Sequence, residues 1–505
     1  MKQLLQTLFF FLLVTQICFA QLGLSRSESK SEYPSTKFSD FSFNVDSLIT
    51  TTMANYHIPG LSACIVRDSE IIWSGAYGWA NIQGGKLVTD TTLFSIASLS
   101  KPFVGTAIMQ LWENGLFELD EDINNYLPFQ VRNPNHPNIP ITFRMLLTHT
   151  SSIVDNWSKI PPNYQGGDSP IPLDSFLINY LRPGGIFFNN ANYSTSAPLT
   201  SWIYSNVGAT LIAYLVENIS NKSFEQYCQD SIFIPLGMNE SSWFLSNLNA
   251  NNIAIPYYYS GGSYNPYGNY GSVTYPAGQL RTSAKQYARH LIAFMQKGQI
   301  DGVRILNNTT VELMTTIQFP NIRYDQALIW FIYPWTVPGF GTHNFCGHNG
   351  SNLGVRTGMD FTLETNFHTG VIVLTNGESD EGRNIIWDAL YSYSITIPTD
   401  VEDTELSLND FSLLQNFPNP FNPSTKISWQ SPVSSWQTLK VFDVLGNEVA
   451  TLVNEEKEAG SYEVEFNAEK LSSGVYFYQL LVSALQSKDG KAGSFVETKK
   501  MLLLR

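Results

Sequence analysis

Ser98-Leu-Ser-Lys101 opens into Pro102-Phe-Val-Gly-Thr-Ala-Ile-Met-Gln-Leu-Trp112, which reads as a helix from Phe103 to a stop near Asn114-Gly115. On a helix, positions i and i+3 share a face, so Lys101 stands one turn from Ser98. A serine hydroxyl is a weak nucleophile that needs a neighbouring base. A lysine amine serves as that base when burial or nearby positive charge lowers its pKa. A serine at a helix start also has backbone N–H groups aimed where an attacked carbonyl develops negative charge. The spacing alone is weak: Ser27-Glu-Ser-Lys30 repeats it in a polar segment with no apolar helix behind it.

Outward from this stretch the pattern is that of an α+β domain. Val45–Tyr56 reads as a helix, and Leu61–Val66 and Ile71–Gly75 as strands around the turn Asp68-Ser-Glu70. Val207–Asn218 is apolar on one face, and Tyr257–Tyr275 reads as an irregular loop bordering a cleft. Gly354–Leu363 and Val371–Asn376 form a strand hairpin, followed by a helix at Arg383–Tyr391. Strands near both ends with helices between them predict one domain, over residues 41–397, whose sheet is closed by its two chain ends.

Two further clusters carry chemistry. Tyr204-Ser-Asn206 precedes the Val207 helix: a phenol beside a lysine relays protons, and an Asn amide holds both a lysine and a substrate carbonyl. Its decoy is Tyr267-Gly-Asn269. His348-Asn-Gly350 precedes the terminal hairpin, where a strand edge with a glycine lets substrate backbone approach, and the Ser351 N–H is a candidate second oxyanion donor. The rival His368-Thr-Gly370 is rejected because it falls at the hairpin turn.

Together, in this order, Ser-x-x-Lys, Tyr-x-Asn and His-x-Gly resemble the penicillin-recognising serine hydrolases, closest to class C β-lactamases and the D-Ala-D-Ala carboxypeptidase/esterase group. Pro59-Gly-Leu61, Leu146-Leu-Thr-His-Thr-Ser151, Gly115-Leu-Phe-Glu-Leu-Asp120 and Pro276-Ala-Gly278 agree with it. The resemblance covers residues 45–395. It implies a β-lactamase/transpeptidase-like α+β fold, an antiparallel sheet flanked by helices plus an all-helical region. It implies Ser98 as nucleophile, Lys101 and Tyr204 as proton-transfer groups and Asn206 as a positioning residue. His348, Asn349, Gly350 and Ser351 then line the substrate, with an oxyanion hole from the Ser98 and Ser351 N–H groups. His149 matches a motif histidine read as structural. The third motif departs from class C lactamases, with His348 for Lys and Asn349 for a hydroxyl residue. That weakens the hold on a substrate carboxylate, and Arg356 is the candidate to compensate.

The C-terminal region changes character. Residues 398–410 read as an acidic linker, and Phe417-Pro-Asn-Pro-Phe-Asn-Pro423 excludes helix. Six short alternating segments from Lys426 to Leu504 then predict a small Ig-like β-sandwich over 411–505. Phe417-Pro-Asn-Pro-Phe-Asn-Pro-Ser-Thr425, Val441-Phe-Asp-Val-Leu-Gly446 and Leu471-Ser-Ser-Gly-Val-Tyr476 resemble the sorting domain of type IX secretion substrates, which implies that machinery as a partner and a Gram-negative source. At the other end, Lys2, the apolar Leu8–Val14 run and Cys18-Phe-Ala20 read as a signal peptide over 1–20, followed by a flexible leader over 21–40. Secretion or display at the cell surface is the expected location.

Of 505 residues, 29 are Lys or Arg and 43 Asp or Glu, a net charge of −14, which argues against nucleic-acid binding. Cys64, Cys228 and Cys346 are expected to be buried free thiols beyond the signal peptide. With no C-x-x-C pair, no metal site is expected, nor any cofactor. The expected activity is acyl-enzyme hydrolysis of a D-alanyl peptide or a small ester or amide. The alternatives are a β-lactamase and a non-catalytic binder of cell-wall peptides.

Overall fold

The computed structural model describes residues 45–364, 368–397, 411–416, 418–486 and 492–503. The expected signal peptide, leader and linker, together with Asn366, Phe367, Phe417 and Leu504, lie outside the described residues. The chain divides into two compact units, Met1–Ile397 and Pro398–Arg505.

The larger unit is built on a seven-stranded sheet. Its strands are β1 (Gly60–Arg67), β2 (Glu70–Asn81), β3 (Lys86–Leu87), β4 (Phe331–Val337), β5 (Gly341–Asn352), β6 (Val355–Thr362) and β7 (Thr369–Thr375), ordered β4-β5-β6-β7-β1-β2-β3. All neighbours run antiparallel, and β1 meets β7 in register from Leu61↔Thr375 to Arg67↔Thr369. The two chain ends therefore close the sheet. β1 is buried on both faces, which is why it reads as an unbroken apolar run rather than an alternating one. Ala63 and Ile65 face a core shared with helices α1 (Val45–Asn55) and α5 (Asp380–Ser394). Cys64 and Val66 face the larger core of the helical region, formed by α2 (Lys101–Glu113), α3 (Asn206–Ser220) and α4 (Ala284–Met295). Gly358 on β6 makes the first contact possible: a Cβ there would lie 1.8 Å from the Trp387 ring of α5. Among the described residues, Cys64, Cys228 and Cys346 are free and buried.

Helix α2 is buried from Lys101 through Met109, as expected of a helix apolar on all sides. Pro102 sits in its first turn, where no backbone N–H is needed. Helix α3 starts at a Ser205 cap whose Oγ accepts from the Gly208 N–H at 2.9 Å, and it ends at Asn221 in the left-handed conformation, φ 56°. The Tyr257–Tyr275 segment is more regular than expected. Tyr257–Ser260 and Ser263–Pro266 form a hairpin around Gly261-Gly262, both with positive φ, and Tyr270–Gly271 pairs with Tyr164–Gln165.

The smaller unit has strands at Ser424–Ser431, Ser435–Phe442, Glu448–Lys457, Gly460–Asn467, Gly474–Gln486 and Ala492–Leu503, plus the short Ser412–Leu413. They form a three-stranded and a four-stranded sheet around a core that includes Ile427, Trp429, Leu439, Tyr478 and Met501. Among the described residues, no helix is long and apolar enough to cross a membrane.

Candidate active site

Ser98 lies in a 3-10 turn, Ala97–Ser100, that runs directly into α2. Ala97 enters it with φ 49°, a left-handed conformation unusual for a residue with a Cβ. The turn is held from several sides: the Ile96 N–H donates to the Leu280 carbonyl at 3.0 Å, and Ser100 Oγ donates to the Ala97 carbonyl at 2.7 Å. Gly350 of β5 abuts it. A Cβ at Gly350 would lie 2.5 Å from the Ile96 carbonyl oxygen and 3.2 Å from the Ala97 Cβ. Pairing of β4 with β5 stops at Gly347, so among the described strands the remainder of β5 is paired on its β6 side alone.

The Lys101 side chain is fully buried and its ammonium makes three contacts: Ser98 Oγ at 3.0 Å, Asn206 Oδ1 at 2.7 Å and the Ala277 carbonyl at 2.8 Å. Burial lowers its pKa to about 7, against the opposing pull of Asp155. A neutral amine keeps two N–H groups and one lone pair. Asn206 Oδ1 and the Ala277 carbonyl only accept, so they take the two N–H groups and leave the lone pair facing the Ser98 hydroxyl. Deprotonation of Lys101 thus turns the Ser98 contact from acceptor to donor. Tyr204 completes the cluster. Its ring centroid is 4.8 Å from Lys101 Nζ, and Ser98 acts on its hydroxyl to lower the phenol's pKa against burial. Burial holds this phenol well above its ordinary pKa, so it stays protonated.

Asp155 was not legible in the sequence, and it fixes the direction of the whole chain of contacts. Its carboxylate accepts from the Asn206 N–H and Asn206 Nδ2, both at 2.8 Å, from the Val207 N–H at 2.9 Å and from Ser205 Oγ at 3.2 Å. Because a carboxylate only accepts, the Asn206 NH2 must point to Asp155 and Oδ1 to Lys101. The same negative charge at the start of α3 raises the Lys101 pKa. Asp155→Asn is therefore expected to move the acid limb of the kcat/KM profile below pH ~7, since removing a charge that favours the ammonium lowers its pKa. A profile that falls in height without shifting would show Asp155 to be structural only.

Of the third motif, His348 stands beside this cluster, its ring centroid 6.4 Å from that of Tyr204 and 5.2 Å from that of Phe331. Burial, then Lys101, pushes its pKa down to about 3. Alternation along β5 places Asn349 and Ser351 on the other face from His348 and Gly350. Asn349 is opposite Gly358, and its Oδ1 has no hydrogen-bond partner. Arg356 does not compensate. Its guanidinium is tied to Asp380 at 2.9 Å and to the Asn352 and Val355 carbonyls at 2.9 and 2.8 Å. His149 packs 4.4 Å from the Tyr204 ring, and its Nδ1 accepts from the Ser205 N–H at 3.2 Å. The decoys lie elsewhere: the Tyr267 N–H donates to the Pro256 carbonyl beside the 257–266 hairpin, and the His368 carbonyl accepts from Asp68 beyond the opposite end of β1.

Residues 45–392 match the family model described as Beta-lactamase, and residues 415–489 the model described as Secretion system C-terminal sorting domain. Protein flp of Staphylococcus aureus (strain MRSA252) is 28% identical over 213 residues, 42% of this chain and 40% of that protein. The chain thus spans about two fifths of that relative's length. Among solved structures, the octameric penicillin-binding protein homologue from Pyrococcus abyssi superimposes with a TM-score of 0.55 at 20% identity, over 90% of this chain and 95% of that one. D-alanine carboxypeptidase AmpC from Burkholderia cenocepacia does so with a TM-score of 0.53 at 23% identity, over 69% of this chain and 97% of that one. These two likenesses show the fold.

Proposed function

This chain belongs to the beta-lactamase family, and on that premise we propose that it is an exported serine hydrolase acting through an acyl-enzyme on a D-alanyl peptide or a small ester or amide. The observation that carries the reading is the lone pair of Lys101, directed at Ser98 by two partners that only accept. Ser98 Oγ attacks the acyl carbonyl while its proton passes to Lys101 Nζ. The Ser98 and Ser351 N–H groups take the developing oxyanion. As the bond to the leaving amine or alkoxide breaks, the Tyr204 hydroxyl gives it a proton and regains one from the Lys101 ammonium. Water then attacks the acyl ester, its proton returning through the same pair, and Ser98 Oγ leaves as the hydroxyl. Asn206 positions Lys101, and His348 lines the substrate.

A hydrolysis panel of a D-Ala-D-Ala peptide, nitrocefin and a short acyl ester tests this reading, together with a reporter penicillin. Persistent labelling fits a carboxypeptidase and transient labelling a β-lactamase. Absence of both turnover and labelling would leave a non-catalytic binder.

The C-terminal unit is proposed as the address read by type IX secretion machinery, placing the enzyme outside the cell or on its surface. The unit that ends at Ile397 and the unit that follows it have separate hydrophobic cores, so a chain ending at Asp400 is expected to fold and hydrolyse substrate but to stay behind the outer membrane. Aggregation of that truncation, or loss of its activity in vitro, would make the tail part of the catalytic fold.

A further inference from the structure

His348 Nδ1 lies 2.7 Å from the carbonyl oxygen of Asn349. A carbonyl oxygen only accepts, so Nδ1 carries the proton, and in the neutral ring Nε2 is a bare lone pair. That nitrogen is buried without a hydrogen-bond partner among the described residues, on a residue 3% exposed. On β5 the ring shares a face with Gly350, which abuts the Ile96–Ala97 backbone just before Ser98. The free nitrogen therefore belongs to the Ser98 side of the strand. The titratable groups around it are Lys101, Tyr204 and His149, none of which supplies a negative charge to hold a second proton there. The Asp155 carboxylate is occupied by the N–H groups of Asn206 and Val207. A lone pair in this position repels a carboxylate and is satisfied by an N–H or O–H.

We infer that the substrate group meeting the third motif is a hydrogen-bond donor, so that this site selects substrates whose leaving group carries a carboxamide over the corresponding free carboxylates. The inference rests on the serine-hydrolase reading above and names the substrate class for that site. An acceptor left buried and unpaired costs the complex that lacks a donor, whereas a matching N–H restores the bond.

The test uses N-acylglycyl esters of a phenol bearing a meta carboxamide, methyl ester or carboxylate, so that the acyl group is constant, with each kcat/KM divided by the ester's rate of hydrolysis by hydroxide to remove the difference in leaving-group reactivity. The expected kcat/KM order is carboxamide, methyl ester, carboxylate, with the first exceeding the last by about ten- to a hundredfold. That ratio is expected to stay flat from about pH 5 to about pH 8, because the ring does not gain a proton there. His348→Lys is expected to reverse the order, and if that variant fails to fold the wild-type ratios still decide. A methyl ester equal to the carboxamide, a carboxylate equal to or better than either, or a ratio turning toward carboxylate as the pH falls would overturn the inference. If no ester is cleaved in a Ser98-dependent way, the serine-hydrolase reading is what fails.

Discussion

Ser98→Ala is expected to lower hydrolysis by on the order of a million-fold while leaving the fold intact. The substitution removes one oxygen from a partly exposed position, and the turn around it keeps its own supports from Leu280 and Ser100. What disappears is the atom that forms the acyl bond. Residual catalysis by the oxyanion donors and by binding is what would remain. The measurement is ester turnover beside circular dichroism and thermal melting of the same sample. Near-normal turnover in a correctly folded variant would refute Ser98 as the nucleophile.

Loss of Lys101 is expected to have the next largest effect. Lys101→Ala removes the base, which is worth roughly a hundred- to ten-thousand-fold. It also strands Asn206 Oδ1 and the Ala277 carbonyl without their donor. The wild-type pH profile carries the sign. The active form is the neutral amine, so kcat/KM should fall about tenfold per unit as the pH drops below the Lys101 pKa of about 7, and level off above it. No descending limb is expected just above neutrality, because the Tyr204 phenol is held well above its ordinary pKa. In Lys101→Ala the residual rate should lose the limb near pH 7. An unchanged limb in that variant would assign the titration to another group.

The parts of this protein that could be read from its sequence are those in which chemistry imposes a local spacing. Ser98 and Lys101 announce themselves because they stand one turn apart at the start of an apolar helix, and Tyr204 and Asn206 because they flank the Ser205 cap of α3. Asp155 imposes no such spacing. It meets α3 from a distant loop, and its role exists only once Asn206 Nδ2 and two backbone N–H groups converge on it. The same contrast holds for the fold. β1 and β7 are rich in apolar residues and were readable, whereas β4 was not, because Pro334 lies within it. The sheet tolerates that proline because β4 is an edge strand. The 257–266 hairpin was hidden by composition, although Gly261-Gly262 carried the turn signal.

The closure of the sheet by its own ends has a consequence for when the enzyme becomes competent. Leu61 pairs with Thr375, and the turn that presents Ser98 leans on Gly350. The turn that carries Ser98 is thus synthesised before the strand that braces it. A nascent chain carries Ser98, Lys101 and Tyr204 as unassembled parts until β5 to β7 arrive. Such a topology is dominated by non-local contacts, which fold slowly because loop closure precedes the reward of pairing. Assembly of the Ser98 cluster is therefore a late event in the life of the polypeptide, set by the order of the chain.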